Sequence, residues 1–476
     1  MNRQQRIALS IGVLVILSAV LSFTNAGVAN SIPRIQDTDQ QTQKAGGPVS
    51  RETSSKIQPT NSPIILSELD KRNRPVLTGV CIHAVPGDGG SQLFAKLDKP
   101  DVVHYFCDRK TDTYFNLWLN MALLVPFVID CWIDNMRLQY DNVTRKTSNS
   151  PGVEIMVPGF GNTTSVEYVD PSQVSVTGYY NTLVNFLVAN GFTRGSDIRG
   201  APYDFRKSPS KWNSYVVSRC PDLNDEFTAE LADYYKSLIM LVEETYRQQD
   251  YRRVILVCHS MGCPVTLYFL NQQSPVWKDT YVKTLVTLAA PWGGAVKALK
   301  AFTSGDNLGV IVVPALTIRK DERTFPSLAY LMPSDKFWGD DEVLMSSGDK
   351  RYTARNYQDL FRDIDYDVGY NMWLDTRNLT YDMRHPGVDI HCIHGVGINT
   401  MEHLEYKSEK FPDHNPKITF GDGDSTVNSR SLAGCLRWKD EPGRNFQYLN
   451  LTGVDHMSVM TDARILKHLL DLARSN

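Results

Sequence analysis

Three side chains in this sequence have the types and settings needed to attack an ester. The segment Arg253-Val-Ile-Leu-Val-Cys-His-Ser260-Met-Gly-Cys-Pro-Val runs from a buried strand straight through His-Ser-Met-Gly into a helix. A serine placed there stands on a sharp turn above a sheet, with small neighbours because the turn brings backbones close. Cys258 occupies the position usually held by the first glycine. A serine hydroxyl is a weak nucleophile until a base takes its proton and a carboxylate orients that base. The bland alternative, a helix N-cap, explains the hydroxyl but not the strand–turn–helix context.

Downstream, Ile418-Thr-Phe-Gly-Asp-Gly-Asp-Ser-Thr-Val427 reads as a strand ending in an acidic turn, and Leu451-Thr-Gly-Val-Asp-His456-Met offers a histidine in a loop before a C-terminal helix. His456 is the natural base. Asp424 and Asp422 compete as the orienting acid, and a turn-forming aspartate is the plain reading of either. His259 is a weaker base candidate, being next to the serine on a turn that should aim it elsewhere. His83, His104, His391, His394 and His403 read as structural or surface histidines.

A developing oxyanion needs two N–H donors. One belongs to the residue after the serine, Met261, and the other to a loop after an early strand. Val85-Pro-Gly-Asp88-Gly-Gly-Ser fits that loop, with Asp88 presenting its amide. No Gly-Lys-Ser/Thr follows these glycines, so they do not form a P-loop, and no HExxH is present. A calcium loop from Asp422 fails at its sixth and twelfth positions, which are Val427 and Ala433. No metal and no cofactor is expected.

The elements that must position these groups alternate. Short apolar runs at 76–85, 153–157, 254–258, 285–289 and 391–395 read as strands, and 179–190, 226–246 and 263–272 have helical spacing. That order predicts a mostly parallel α/β sheet with helices on both faces and its chemistry at the carboxyl ends of the strands. The 476 residues, 42% apolar and 22% charged, suffice for a large core and exclude wholesale disorder. Lys+Arg 50 against Asp+Glu 53 leaves no basic footprint for a nucleic-acid partner.

Arg3 and Arg6 precede an apolar run from Ile7 to Phe23 and small residues at Ala26 and Ala29. This is the order of a signal peptide over 1–29, with an uncleaved anchor as the rival. Residues 30–63, rich in Gln, Ser, Thr, Asp and Pro, read as a flexible leader ahead of a folded domain over 64–476. Four glycosylation sequons, at Asn142, Asn162, Asn378 and Asn450, agree with a lumenal or extracellular chain, as do eight cysteines. Residues 114–132, YFNLWLNMALLVPFVIDCW, are too short to span a bilayer and too apolar for an ordinary surface. They are either a core helix pair or a patch that docks on lipid. Cys107 and Cys131 bracket them.

The chain resembles the lecithin:cholesterol acyltransferase family, and within it the lysosomal phospholipase A branch that also acylates ceramide. The resemblance runs from about Pro86 to the C-terminus. It rests on PGDGGSQLFAKLDKP from Pro86, IDCWIDNMRL from Ile129, VPGFG from Val157, RGAPYDFR from Arg199, CHSMGCPVTLYFL from Cys258, APWGG from Ala290 and FGDGDSTVN from Phe420. It implies an α/β-hydrolase fold with Ser260 as nucleophile, Asp424 as acid and His456 as base, and Asp88 and Met261 amides for the oxyanion. It implies disulfides Cys107–Cys131 and Cys392–Cys435, and a docking insertion over 103–139 with Trp118, Leu119, Leu123, Leu124 and Phe127 towards lipid. It also implies a cap with a lid over 295–386.

Cys81, Cys220, Cys258 and Cys263 stay unassigned, and the last two are expected to be free and packed beside the nucleophile. The segment Leu77–His83 makes the approach to Pro86 longer than the family's strand needs.

The expected activity is phospholipase A cleavage through an acyl-Ser260 intermediate, in the lysosomal lumen or outside the cell. The expected partners are a phospholipid membrane surface and a lipid acyl acceptor such as ceramide. The rivals are a membrane-anchored acyltransferase serving diacylglycerol or sterol, and a lipid-binding protein that has lost catalysis.

Overall fold

The computed structural model describes residues 80–209, 231–307 and 313–475. The signal-peptide and leader segments and Cys220 lie outside them, as do residues 77–79 of the segment at 77–83.

Six strands form the central sheet: β1 (Ile82–Val85), β2 (Ile198–Gly200), β3 (Val254–His259), β4 (Val282–Leu288), β5 (Asp389–Val396) and β6 (Phe446–Thr452). Their order across the sheet is β6-β5-β4-β3-β1-β2, and every pairing is parallel. β3 reads Val-Ile-Leu-Val-Cys-His with all six residues buried, the mark of a strand covered on both faces. Alternation decides which side chain meets which layer. Ile82, Ala84, Ile255 and Val257 share a core with the helices Asn181–Ala189 and Ala463–Arg474. His83, pointing the other way, contacts Thr245 on the helix Ala232–Gln248.

Two strands of this sheet, β2 and β6, were not expected from the sequence. β2 has three residues and gives too short an apolar signal, whereas β6, FQYLNLT, is a half-exposed edge strand. The expected strand at 153–157 is real but lies elsewhere. Val153–Met156 pairs antiparallel with Leu93–Leu97, which also pairs with Phe115–Trp118. Its outward residues are exposed, so it is an edge of a small sheet, not a buried parallel strand.

A second layer follows β4. Helices Val296–Thr303, Ala315–Glu322, Pro326–Tyr330, Tyr357–Asp363 and Asp367–Thr376 occupy the region expected to be a cap. The hairpin Met345–Ser347/Lys350–Tyr352 there is extended by Ile398–Tyr406 and Lys417–Gly423 into a four-stranded sheet. Leu299, Phe302, Trp338, Phe361 and Leu404 form a core of their own. This layer therefore continues past residue 386, and the strand ending at the acidic turn belongs to it and not to the central sheet.

Cys107–Cys131 and Cys392–Cys435 are bonded. Cys258 and Cys263, expected to be free, are also bonded, because the turn between β3 and the next helix brings their Cα atoms to 4.9 Å. Cys81 is a buried free thiol, and burial, first of all, lifts it to about 12, which makes it inert.

Candidate active site

β3 delivers Ser260 to the top of the sheet. The residue has φ +52°, left-handed backbone that a non-glycine residue adopts only when its surroundings enforce it. Its N–H donates to the Leu288 carbonyl at 2.9 Å, which ties the turn to β4. The helix Gly262–Gln272 begins two residues later, so its N-terminal partial positive charge lies at the serine. A methyl on Gly262 would stand 2.3 Å from the Pro86 carbonyl oxygen, and one on Gly87 would stand 2.7 Å from Ser260 Cβ. Only glycine permits this approach of the loop after β1 to the elbow.

The two partners arrive from the far half of the chain. His456 Nε2 lies 2.9 Å from Ser260 Oγ, and its Nδ1 lies 2.7 Å from Asp424 Oδ2. A carboxylate only accepts, so Nδ1 carries the hydrogen and Nε2 is free to accept the serine proton. Asp424 is fully buried. Burial works to raise its carboxyl, but His456 and the N–H groups of Val427 and Thr426 outweigh it, and the net effect is below the usual carboxylate range. Those two N–H groups donate to Oδ1 at 2.7 and 3.1 Å. Asp422 is exposed and does turn work, accepting from Gly397 N–H at 2.7 Å and from Ser429 Oγ.

The amides of Asp88 and Met261 have no acceptor among the described residues. The loop that carries Asp88 is held from below by Tyr179 Oη, which accepts from Gly87 N–H at 2.9 Å. It is held from the side by Trp118, whose Nε1 donates to the Gly89 carbonyl at 2.8 Å. Asp88 is exposed, and the protein around its loop raises its carboxyl against the pull of Lys297.

Trp118 thus faces the site and not the lipid. Trp118, Leu119, Leu123 and Leu124 are all buried, so four of the five side chains assigned to lipid contact pack inward instead. The helix Ile129–Met136 explains it: Trp132 packs against Trp118 and donates to the Leu117 carbonyl. Phe127, 73% exposed, keeps the outward orientation, and Met121, Val103 and Tyr105 add exposed apolar surface. Tyr105 and Val103 lie outside the apolar run but inside the insertion expected over 103–139, and their accessibility singles them out. All four sequon asparagines are exposed.

His83 is buried in β1, and His104, His391, His394 and His403 bond to residues other than the triad. Tyr179 is a residue of this neighbourhood that sequence reasoning passed over; it sits at the start of a helical pattern with no motif of its own.

A serine on a left-handed turn between a parallel strand and a helix, facing a His–Asp pair from later loops, defines an α/β-hydrolase. The family model described as lecithin:cholesterol acyltransferase matches residues 114–463. The lysosomal phospholipase A and acyltransferase of Mus musculus is 43% identical over 385 residues, 81% of this chain and 88% of that protein. The Homo sapiens protein of the same name is also 43% identical over 385 residues with the same coverage. The phosphatidylcholine-sterol acyltransferase of Gallus gallus is 41% identical over 377 residues, 79% of this chain and 86% of that protein. The chain belongs to the lecithin:cholesterol acyltransferase family.

Proposed function

We propose that this protein is a phospholipase A and transacylase, working through an acyl-Ser260 intermediate on membrane phospholipid. The observation that carries the reading is the hydrogen-bonded order Ser260–His456–Asp424 beside two amides that have no acceptor among the described residues, in a chain of this family. Membership makes it a lipid hydrolase and acyltransferase.

His456 Nε2 takes the proton as Ser260 Oγ attacks the fatty-acyl carbonyl carbon. The carbonyl oxygen becomes an oxyanion between the Asp88 and Met261 amides, a donor of this kind being worth about 10²–10³ in rate. The intermediate collapses, the lysophospholipid oxygen leaves with the proton from His456, and the acyl group stays on Ser260. Water or a lipid alcohol such as ceramide, deprotonated by the same nitrogen, then accepts it. Asp424 stays ionised throughout and stabilises the imidazolium.

The exposed apolar side chains Phe127, Met121 and Tyr105 support docking on a phospholipid surface. No described helix is long and apolar enough to cross a membrane. The signal sequence, the sequons and the lysosomal relatives support residence in the lysosomal lumen or outside the cell.

The test incubates wild type and Ser260→Ala with phospholipid liposomes containing ceramide, at acid and neutral pH, and follows fatty acid, lysophospholipid and acylceramide. Products that need Ser260 are expected. Wild type that binds the liposomes but releases no more than the variant sinks the catalytic reading in favour of lipid binding alone.

A further inference from the structure

His259, directly before Ser260, is buried and takes no part in the proton transfers above. Its Nε2 lies 2.8 Å from the main-chain oxygen of His456. A carbonyl only accepts, so Nε2 must carry the hydrogen. In a neutral ring Nδ1 is then an acceptor, and its partner there, Tyr179 Oη, must donate to it. With its single hydrogen spent, the Tyr179 oxygen accepts from Gly87 N–H at 2.9 Å. The tautomer is therefore fixed by the carbonyl, and three hydrogen bonds run in one direction. They lead from the loop of the oxyanion amides, through Tyr179 and His259, to the backbone of the base.

Two further observations favour this arrangement. Burial, first of all, and then the neighbouring His456 hold the His259 ring neutral, at about 3, so the acceptor at Nδ1 persists at any working pH. Tyr179 also fits its loop closely: a methyl on Gly90 would lie 2.7 Å from its ring, and one on Gly87 3.0 Å from its hydroxyl. The loop after β1, the start of the helix Asn181–Ala189, the elbow and the loop after β6 otherwise come from four separate parts of the chain.

We propose that Tyr179 and His259 are positioning residues that hold the oxyanion loop and the His456 loop in register, so that amides and base meet the same reacting carbonyl. This rests on the hydrolase reading above. A histidine that only fills space would need neither the directed bonds nor the tyrosine hydroxyl.

The test measures kcat, KM and Tm of the full chain on phospholipid liposomes for wild type, Ser260→Ala, Tyr179→Phe, His259→Leu, His259→Gln and the Tyr179→Phe/His259→Leu double variant. Tyr179→Phe and His259→Leu should each lower kcat roughly 10- to 100-fold, the scale of a small misplacement of reacting groups, with KM within about twofold. His259→Gln, which keeps an N–H where Nε2 stood, should recover most of the loss. The double variant should be no slower than the slower single, because both break one chain of bonds. Effects that multiply, losses that follow Tm alone, or Tyr179→Phe within twofold of an active wild type overturn the proposal. Wild type no faster than Ser260→Ala overturns the hydrolase reading, and the proposal with it.

Discussion

Asp424 and His456 are joined twice. Their side chains meet at 2.7 Å, and the His456 main-chain N–H donates to the Asp424 main-chain oxygen, also at 2.7 Å. The second bond fixes the loop after β6 against the acidic turn, so the imidazole is oriented before any substrate arrives. Asp422, two residues away, faces solvent and has no such tie.

Asp424→Asn is therefore expected to lower kcat by about 10⁴, because an amide stabilises neither the required tautomer nor the imidazolium. Asp422→Asn should stay within a few-fold of wild type. The comparison of the two kcat values decides the acid; a larger loss from Asp422→Asn reverses the assignment.

The close approach at the elbow predicts a backbone effect. Gly262→Ala puts a methyl 2.3 Å from the Pro86 oxygen, a rigid main-chain atom next to the oxyanion loop. The loop must shift, and the cost is about 1–3 kcal/mol. Lower Tm together with slower labelling by a serine-directed fluorophosphonate is expected. Labelling at the wild-type rate would show that the loop does not depend on this contact.

Exposed and buried side chains of the apolar run separate docking from packing. Phe127→Ser should weaken liposome binding about 10-fold, the scale of one large apolar side chain lost from the lipid, and leave Tm unchanged. Leu124→Ser, at a buried position, should instead cost about 2–5 kcal/mol of stability. Vesicle co-sedimentation and thermal melts read the two effects apart. Equal binding by Phe127→Ser removes Phe127 from the docking surface.

Buried histidine makes stability depend on pH. Burial, and then Arg199, lower His83 from 6.5 to about 3. Between those values the unfolded chain binds a proton that the native state refuses, so this group's contribution falls as pH drops below about 6.5. His83→Gln should thus lose less Tm than wild type between pH 7 and pH 5. Parallel Tm profiles would falsify the assignment of acid sensitivity to His83.

Much of the site was legible because its chemistry is carried by short local patterns. A serine between a buried strand and a helix, glycines around Asp88 and a histidine before the last helix each announce themselves within about ten residues. Local pattern misleads where the signal depends on surroundings. Val153–Met156 has the composition of a core strand but is an edge of another sheet, and β6 has too polar a face to be read as part of the centre. The apolar run at 114–132 has a composition that cannot say which side faces out; Trp132 beneath Trp118 decides it.

The sequence by itself thus determined the parallel α/β plan and singled out a candidate nucleophile and base, because strand hydrophobicity and turn chemistry are local properties of the chain. The residues left Asp424 and Asp422 open and only the family resemblance pointed to Asp424, whereas tertiary structure alone decided that Cys258 bonds Cys263 and that Tyr179 and His259 link the two loops. Each of these is a matter of a few ångströms between segments far apart in the chain. Only the folded sheet brings those segments together and buries one carboxylate while leaving its neighbour in water.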